Sequence, residues 1–448
     1  MTNSNIVVTP YTNYVYCIVL QIISIHPQRL YKMQNLIALL LLFALQVFLV
    51  LNKGQLLGNE PNALILFFSS LAFGGVYLHA KKDRHPVPEG TTAVSQPAKI
   101  AGALAGILSV MALCFGFMTV FHMYPETGKY SDVIPQLEAL YNRFVAGDDP
   151  YVPVVFDTYS AYPVYMPMHW LPIGITRWLG MDDRLLGWLL FIPVLAIAGY
   201  HLIKSEKRLI LQIAGIFIIV SPMWLYLKFA SLEMAISFET IIAAYYLLLA
   251  TGLKTRSIPL ITLGLILSLL SRYTLIFWIP LLGYLLLLNQ PLKLSIRIWG
   301  IVAMSIIILY VLPFIVKNPT ALQHGLAYHQ EAVVNDWKGY GEPPVSWSML
   351  KGLNFAHFIK RKLTGSMAHR VYTARIIQAI ALLITLAIGI LYYHLERRRY
   401  NYYDYALGFL YLFLMVFFSF SPLTYQYYLL VPLTLAGFMT ADVITDHI

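Results

Sequence analysis

Apolar runs of bilayer-spanning length recur along this chain, at residues 36–51, 63–80, 100–121, 185–203, 209–225 and 232–253. Each is near the ~20 residues that a helix needs to cross a hydrocarbon core. Between 258 and 288 the apolar pattern runs too long for one ordinary span, and Ser271, Arg272, Tyr273 and Thr274 interrupt it. The interruption predicts two short helices forming a hairpin. Runs at 298–316, 371–391, 405–420 and 423–439 follow, which gives about twelve crossings at the usual span length. The predicted fold is therefore an all-α, polytopic integral membrane protein.

Composition agrees with this pattern. The 448 residues are 59% hydrophobic and 12% charged, whereas soluble domains carry about a quarter charged residues. Charge then orients the bundle. Lys and Arg gather in short connections: Lys81, Lys82 and Arg84; Lys204, Lys207 and Arg208; Lys254 and Arg256; Lys293 and Arg297; Arg397, Arg398 and Arg399. With the hairpin counted as two crossings, all five fall on one side, which the positive-inside bias makes cytoplasmic, together with both termini. The two long connections, 122–184 and 317–370, then lie on the external face. These two loops are where interfacial helices and function are expected.

The net charge of +10 follows from those loops and not from a recognition helix, so nucleic acid is not an expected partner. Cys17 and Cys114 lie in apolar runs without metal-ligand or disulfide spacing. Neither a nucleotide-binding P-loop nor a dinucleotide fingerprint is present, and no cofactor or metal is expected. Gly102 and Gly106 form a GxxxG spacing that predicts close helix packing. The segment 1–32 has one short apolar stretch at 14–25, and Met33 opens the first good helix, which is compatible with a later start codon. No cleavable signal peptide or internal repeat is recognisable. Residues 33–99 read as an extra helix pair with a basic loop, and 100–448 as the main membrane domain.

The first long connection carries the richest chemistry. Ile134, Leu137, Tyr141 and Phe144 recur at helical spacing, so 135–145 should form an amphipathic helix at the membrane surface, stopped by Gly147. Asp132 sits where a span meets that helix. Beyond it, 159–170 carries Pro163 and Pro167 among Tyr162, Tyr165 and Trp170, an aromatic set suited to the headgroup level.

This arrangement resembles the C-type glycosyltransferase superfamily, in particular the bacterial polyprenyl-phosphate-sugar-dependent mannosyltransferases. The shared pattern is a membrane helix and an external loop opening with an acidic residue, then an amphipathic helix, a Gly, a Pro-Tyr pair and a Tyr/Pro-rich stretch. Here Asp132, the helix to Val145, Gly147, Pro150-Tyr151 and the segment from Tyr162-Pro163 to Pro167 fill those places. The resemblance covers 100–200 by motif and the later spans by hydropathy. Two spans precede residue 100 that the simplest members lack.

The resemblance implies an inverting transfer of a monosaccharide from a polyprenyl-phosphate carrier to a hydroxyl of a glycan, lipid or protein acceptor, on the external face of the cytoplasmic membrane. Such chemistry needs a carboxylate for the acceptor proton and cations for the leaving phosphate. Asp132 is the candidate base; as a residue preceding a helix it is equally suited to capping. Arg272, Glu233, Arg361, Arg370, Tyr162 and His329 are the candidate substrate- and phosphate-binding residues.

Arg272, at the hairpin tip, could bind phosphate bidentately or snorkel to the interface. Glu233 and the deeper Glu239 could orient an acceptor, pair with Arg272, or line the cavity. Asp148 and Asp149 could pair on a metal or make an ordinary turn. In the second loop stand His324, Tyr328, His329, Glu331, Asp336, Trp337 and a turn at Pro343 and Pro344. Lys360, Arg361, Lys362, His369 and Arg370 beyond it could clamp a phosphate or touch anionic membrane lipids. His324 and His329 lack a diagnostic metal-ligand interval. Two other classes fit the same hydropathy: a lipid-linked-oligosaccharide flippase or transporter, with charges near the membrane midplane, and a polysaccharide polymerase or ligase relying on external Arg and His.

Overall fold

The computed structural model describes residues 27–52, 57–83, 96–125, 131–157, 159–205, 209–339, 346, 348–349 and 352–447. Cys17, the stretch 14–25, Arg84, Lys207, Arg208 and the turn at Pro343 and Pro344 lie outside them. Three long apolar helices come first: α1 (Pro27–Leu51), α2 (Asn59–Lys81) and α3 (Gln96–Met123). The first long connection carries α4 (Val133–Ala146), an antiparallel hairpin of β1 (Val154–Val155) and β2 (Ser160–Ala161), and the short α5 (Pro167–Trp170) and α6 (Ile173–Leu179). The bundle resumes with α7 (Leu186–Ser205), α8 (Leu209–Phe229), the short α9 (Ser231–Ala235) and α10 (Glu239–Thr255). Then come α11 (Ile258–Leu269), α12 (Ile279–Asn289) and α13 (Leu292–Ile306). α14 (Ala321–Lys338) and α15 (Ala356–Lys362) belong to the second long connection. α16 (Met367–Glu396), α17 (Tyr402–Phe420) and α18 (Leu430–His447) follow.

Among the described residues nine helices are long and apolar enough to cross a membrane. The molecule is an all-α, multi-pass membrane protein. Its helices sort into a centre and a rim. The windows in Tyr402–Phe420 and Gln426–Ile444 are 89% and 94% buried, against 17% in Leu292–Ile315 and Met367–Arg399. α17, α18 and the wholly buried 239–253 stretch of α10 therefore form the core. The outer helices turn their Leu and Ile outward, as a lipid-facing surface requires.

Where α10 and α11 meet, glycine permits the close approach. A Cβ at Gly264 of α11 would stand 2.7 Å from the Leu249 Cα, and one at Gly252 of α10 2.7 Å from the Ile261 nitrogen. The predicted packing role of Gly106 is not found, because a Cβ there would meet nothing within 4 Å.

Ion pairs gather the basic connections at one end of the bundle. Lys81 and Lys254 both pair with Asp442, Arg399 with Asp83 at 2.5 Å, and Lys82 with Glu396 at 3.3 Å. Tyr393 donates to Asn289 at 3.0 Å, which brings the end of α12 to the same place. At the opposite end, Arg361 pairs with Glu60, Asn62 donates to the Gly352 carbonyl, and Gln426 donates to the Val50 carbonyl. The expected grouping of basic loops is thus present for the first, third, fourth and fifth of them.

Two expected spans are interrupted. The apolar run 232–253 is split by residues 236–238: the Ser237 hydroxyl donates to the Glu233 carbonyl, and a new helix starts at Glu239, a favourable place for an acid in the helix field. The run 423–439 begins with irregular chain at 423–425 and a 3₁₀ turn, Gln426–Leu429, which leads directly into α18 at Leu430. Pro422 cannot continue a helix. Carbonyls freed there are satisfied by the second long connection, with Trp337 Nε1 donating to Pro422 and Asn354 Nδ2 to Ser421. The hairpin at 258–288 forms as expected, with a single 3₁₀ stretch, Tyr273–Phe277, between its helices.

Candidate functional site

The described part of the first long connection is pinned at several points. Ile134, Leu137 and Leu140 of α4 bury against Trp170 and Ile173, and the helix stops at Gly147 in the left-handed conformation with φ 85°. Arg143 then donates to the carbonyls of Pro150, Val152 and Pro153. Asp149 makes a local turn by accepting from the Tyr151 N–H at 2.9 Å, and also accepts from Asn318 Nδ2 at 2.7 Å. It ties the two connections together, which is the turn role with a tether added. Among the described residues no three His, Cys, Asp or Glu side chains form a metal-ligand group.

Asp132 precedes α4 but does not cap it. Its carboxylate accepts no backbone N–H; the Ser131 hydroxyl accepts from Val133 N–H at 3.1 Å instead. Asp132 Oδ2 accepts from Gln136 Nε2 at 2.9 Å and from the Tyr159 hydroxyl at 3.0 Å. The carboxylate is half-buried and held by two neutral donors, so it keeps accepting capacity.

Arg272 neither snorkels nor stands open. Its Nη1 donates to Glu239 Oε2 at 3.0 Å and its Nη2 to Oε1, a two-pronged pair in which Glu239 is 2% exposed and Arg272 13%. The guanidinium lies 4.3 Å from the centre of the Tyr428 ring. Of the two acids near this end, Glu239 is therefore the partner of Arg272; Glu233 stands on α9, half-buried.

Tyr165 joins these groups. Burial first, then the negative charge of Asp132, raises its phenol well above the usual range, and the positive charge of Arg272 acts on it in the opposite sense. Beside it, edge-on at 5.2 Å, His169 is buried, and its Nε2 has no hydrogen-bond partner among the described residues. Burial, followed by the Arg272 charge, pushes His169 down to about 3. The Met168 N–H donates to the Leu270 carbonyl at 2.8 Å and the Tyr245 hydroxyl to the Met168 carbonyl at 3.2 Å, which docks this segment onto the hairpin tip. Tyr165, His169, Arg272, Glu239 and Tyr428 thus gather in one polar cluster at the end opposite the basic loops, near enough to Asp132 for its charge to act on Tyr165.

The other sequence candidates lie around it in different roles. The Tyr162 ring packs at 5.3 Å against His324 of α14, where the two connections meet. His329 is half-buried, and burial followed by the charge of Arg375 pushes it down to about 4. Arg361 pairs with Glu60 at 2.7 Å, Arg370 donates to the Gly365 and Lys360 carbonyls at 3.1 Å each, and Lys360 donates to the Trp337 carbonyl. These three cations fasten the second connection to itself and to α2.

No family model, curated protein or solved structure matches this chain.

Five residues escape a reading of hydropathy. Tyr425, Tyr427 and Tyr428 fall inside a run that scans as a span, although the Ser421-Pro422 break and the polar Thr424 and Gln426 mark the unwinding. His169 is a lone histidine between aromatics, with no spacing signal. Arg375 lies about two turns into α16, and its isolation in an apolar helix is the signal that singles it out.

Proposed function

We propose that this chain is a membrane-embedded, inverting glycosyltransferase of the C-type class. It moves a monosaccharide from a polyprenyl-phosphate carrier to an acceptor hydroxyl at the end of the bundle opposite the basic loops. In this reading the three shorter helices α10, α11 and α12 also cross the membrane, giving about twelve spans. The basic end is cytoplasmic, and the site faces the exterior of the inner membrane.

The observation that carries the reading is Asp132. It is an acid at the mouth of the first connection whose carboxylate does no capping and which shares Tyr165 with the cationic hairpin tip. An acceptor hydroxyl that takes the place of the Tyr159 hydroxyl would lie within proton-transfer reach of Oδ2. In the step, the acceptor oxygen bonds to the anomeric carbon from the face opposite the phosphate while its proton passes to Asp132. The bond from the anomeric carbon to the phosphate oxygen breaks, and the lipid phosphate leaves with that electron pair. Arg272, held by Glu239 and stacked on Tyr428, fixes the hairpin tip beside Tyr165. Acceptors from glycans, lipids or proteins all present such a hydroxyl.

The test is incubation of the purified protein with radiolabelled polyprenyl-phosphate sugars and candidate acceptors, with the released lipid phosphate as readout. Asp132-dependent release is expected. Movement of the intact lipid-linked sugar between leaflets, with no lipid phosphate released, would indicate a flippase instead.

A further inference from the structure

Seven arginines lie at the end opposite the basic loops among the described residues, and six are engaged within the fold. Arg143 and Arg370 hold carbonyls; Arg177, Arg184, Arg272 and Arg361 hold carboxylates. The seventh, Arg375, is half-buried on α16 and bonds to no carboxylate or carbonyl among the described residues. A guanidinium withdrawn from water beside lipid is costly unless an anion meets it. Among the described residues no carboxylate pairs with it, and His329 of α14 and the phenol of Tyr273 at the hairpin tip are the groups its charge acts on.

The surroundings also say what shape that anion has. On the same helix Ile376 and Ile380 are exposed, and at the hairpin tip Ile276 and Phe277 are exposed too. These side chains present an apolar surface next to a single cation. α16 is fixed there, because Gln378, one turn on, donates to the Phe417 carbonyl at 3.0 Å. An occupant with a phosphate head and a long apolar tail satisfies both features. Arg272 cannot serve in the same way, since Glu239 already fills its fork.

We propose that Arg375, between His329 and Tyr273, binds the phosphate of a phosphorylated lipid whose tail lies along the exposed apolar faces of α16 and the hairpin tip. The proposal rests on the transferase reading for the identity of that lipid as donor, and moves the phosphate contact from Arg272 to Arg375. A planar guanidinium supplies two parallel hydrogen bonds to phosphate oxygens, which an ammonium cannot.

The purified full-length protein is titrated in neutral detergent with a polyprenyl monophosphate, the matching polyprenol and phosphatidylglycerol, with tyrosine and tryptophan fluorescence as readout. The monophosphate should bind at least roughly tenfold more tightly than the alcohol. Arg375→Gln should erase that difference, and Arg375→Lys should keep part of it. Phosphatidylglycerol bound as tightly as the monophosphate, and lost equally in Arg375→Gln, supports the site and assigns it to a membrane phospholipid. Equal affinity of parent protein for alcohol and monophosphate overturns the proposal, and needs no variant. So does a folded Arg375→Gln protein that keeps the parent's preference for phosphate. Arg375-dependent binding without sugar transfer from any donor would leave this site standing and sink the transferase reading.

Discussion

The Tyr159 hydroxyl donates to Asp132 Oδ2 at 3.0 Å across 27 positions of chain, and Gln136 donates to the same oxygen at 2.9 Å. The acid that opens α4 is therefore aimed by side chains and not consumed by the helix it precedes. Asp132→Asn keeps an acceptor oxygen for both donors while removing the basic carboxylate. Turnover should fall by about a hundredfold or more, the scale of general acid–base catalysis, with donor binding and melting temperature close to the parent. Turnover within a few-fold of the parent, accompanied by a lower melting temperature, would make Asp132 a structural residue.

Glu239 and Arg272 form a nearly sealed pair, so removing one partner strands the other. Glu239→Ala should cost about 3 to 5 kcal/mol by leaving a buried guanidinium uncompensated, read as a large drop in melting temperature. The double change Glu239→Leu with Arg272→Met should recover much of that loss, since it removes both charges together. If Glu239→Ala melts like the parent, the pair is not the fixed point of the hairpin tip that its geometry indicates.

Asp83 and Arg399 meet at the end that also gathers Lys81, Lys254 and Asp442. Cysteines placed at Arg398 and at Gly147 should consequently label from opposite sides of a sealed membrane, with Gly147 reached from outside. Labelling of both from the same side would overturn the placement of the polar cluster.

How far the sequence announces this structure depends on the kind of signal. Hydropathy finds the helices, and the Ser271 to Thr274 interruption is strong enough to give the hairpin and to put Arg272 at its tip. The amphipathic spacing from Ile134 and the stop at Gly147 give α4 within two residues at its start. Hydropathy fails where apolar residues leave the helix for a tertiary reason. Phe238 and Leu429 are as apolar as any span residue, yet one precedes a helix start set by Glu239 and the other follows a chain unwound at Pro422. Partner choice is also invisible along a sequence. Lys360, Arg361 and Arg370 read as one basic group suited to a phosphate, and only their neighbours in space show that all three are fasteners of the fold.

His169 supplies a pH test of the buried cluster. In the unfolded chain it titrates near the ordinary 6.5, whereas in the folded protein burial, and then the Arg272 charge, push it down to about 3. Below pH 6.5 the unfolded state binds a proton that the folded state refuses, so stability is lost as pH falls from 6.5 toward 3, and regained as it rises. His329, pushed down to about 4, acts in the same direction. The groups facing His169 are Tyr165, which stays neutral, and the Arg272–Glu239 pair. His169→Gln removes the titrating ring and keeps a neutral polar group of similar reach. Its melting temperature should therefore vary less steeply than the parent's between pH 6.5 and 4. Scanning fluorimetry of both proteins in the same detergent decides it: parallel pH profiles would mean that protons reach His169 in the folded protein, and that the cluster around Arg272 is open to water.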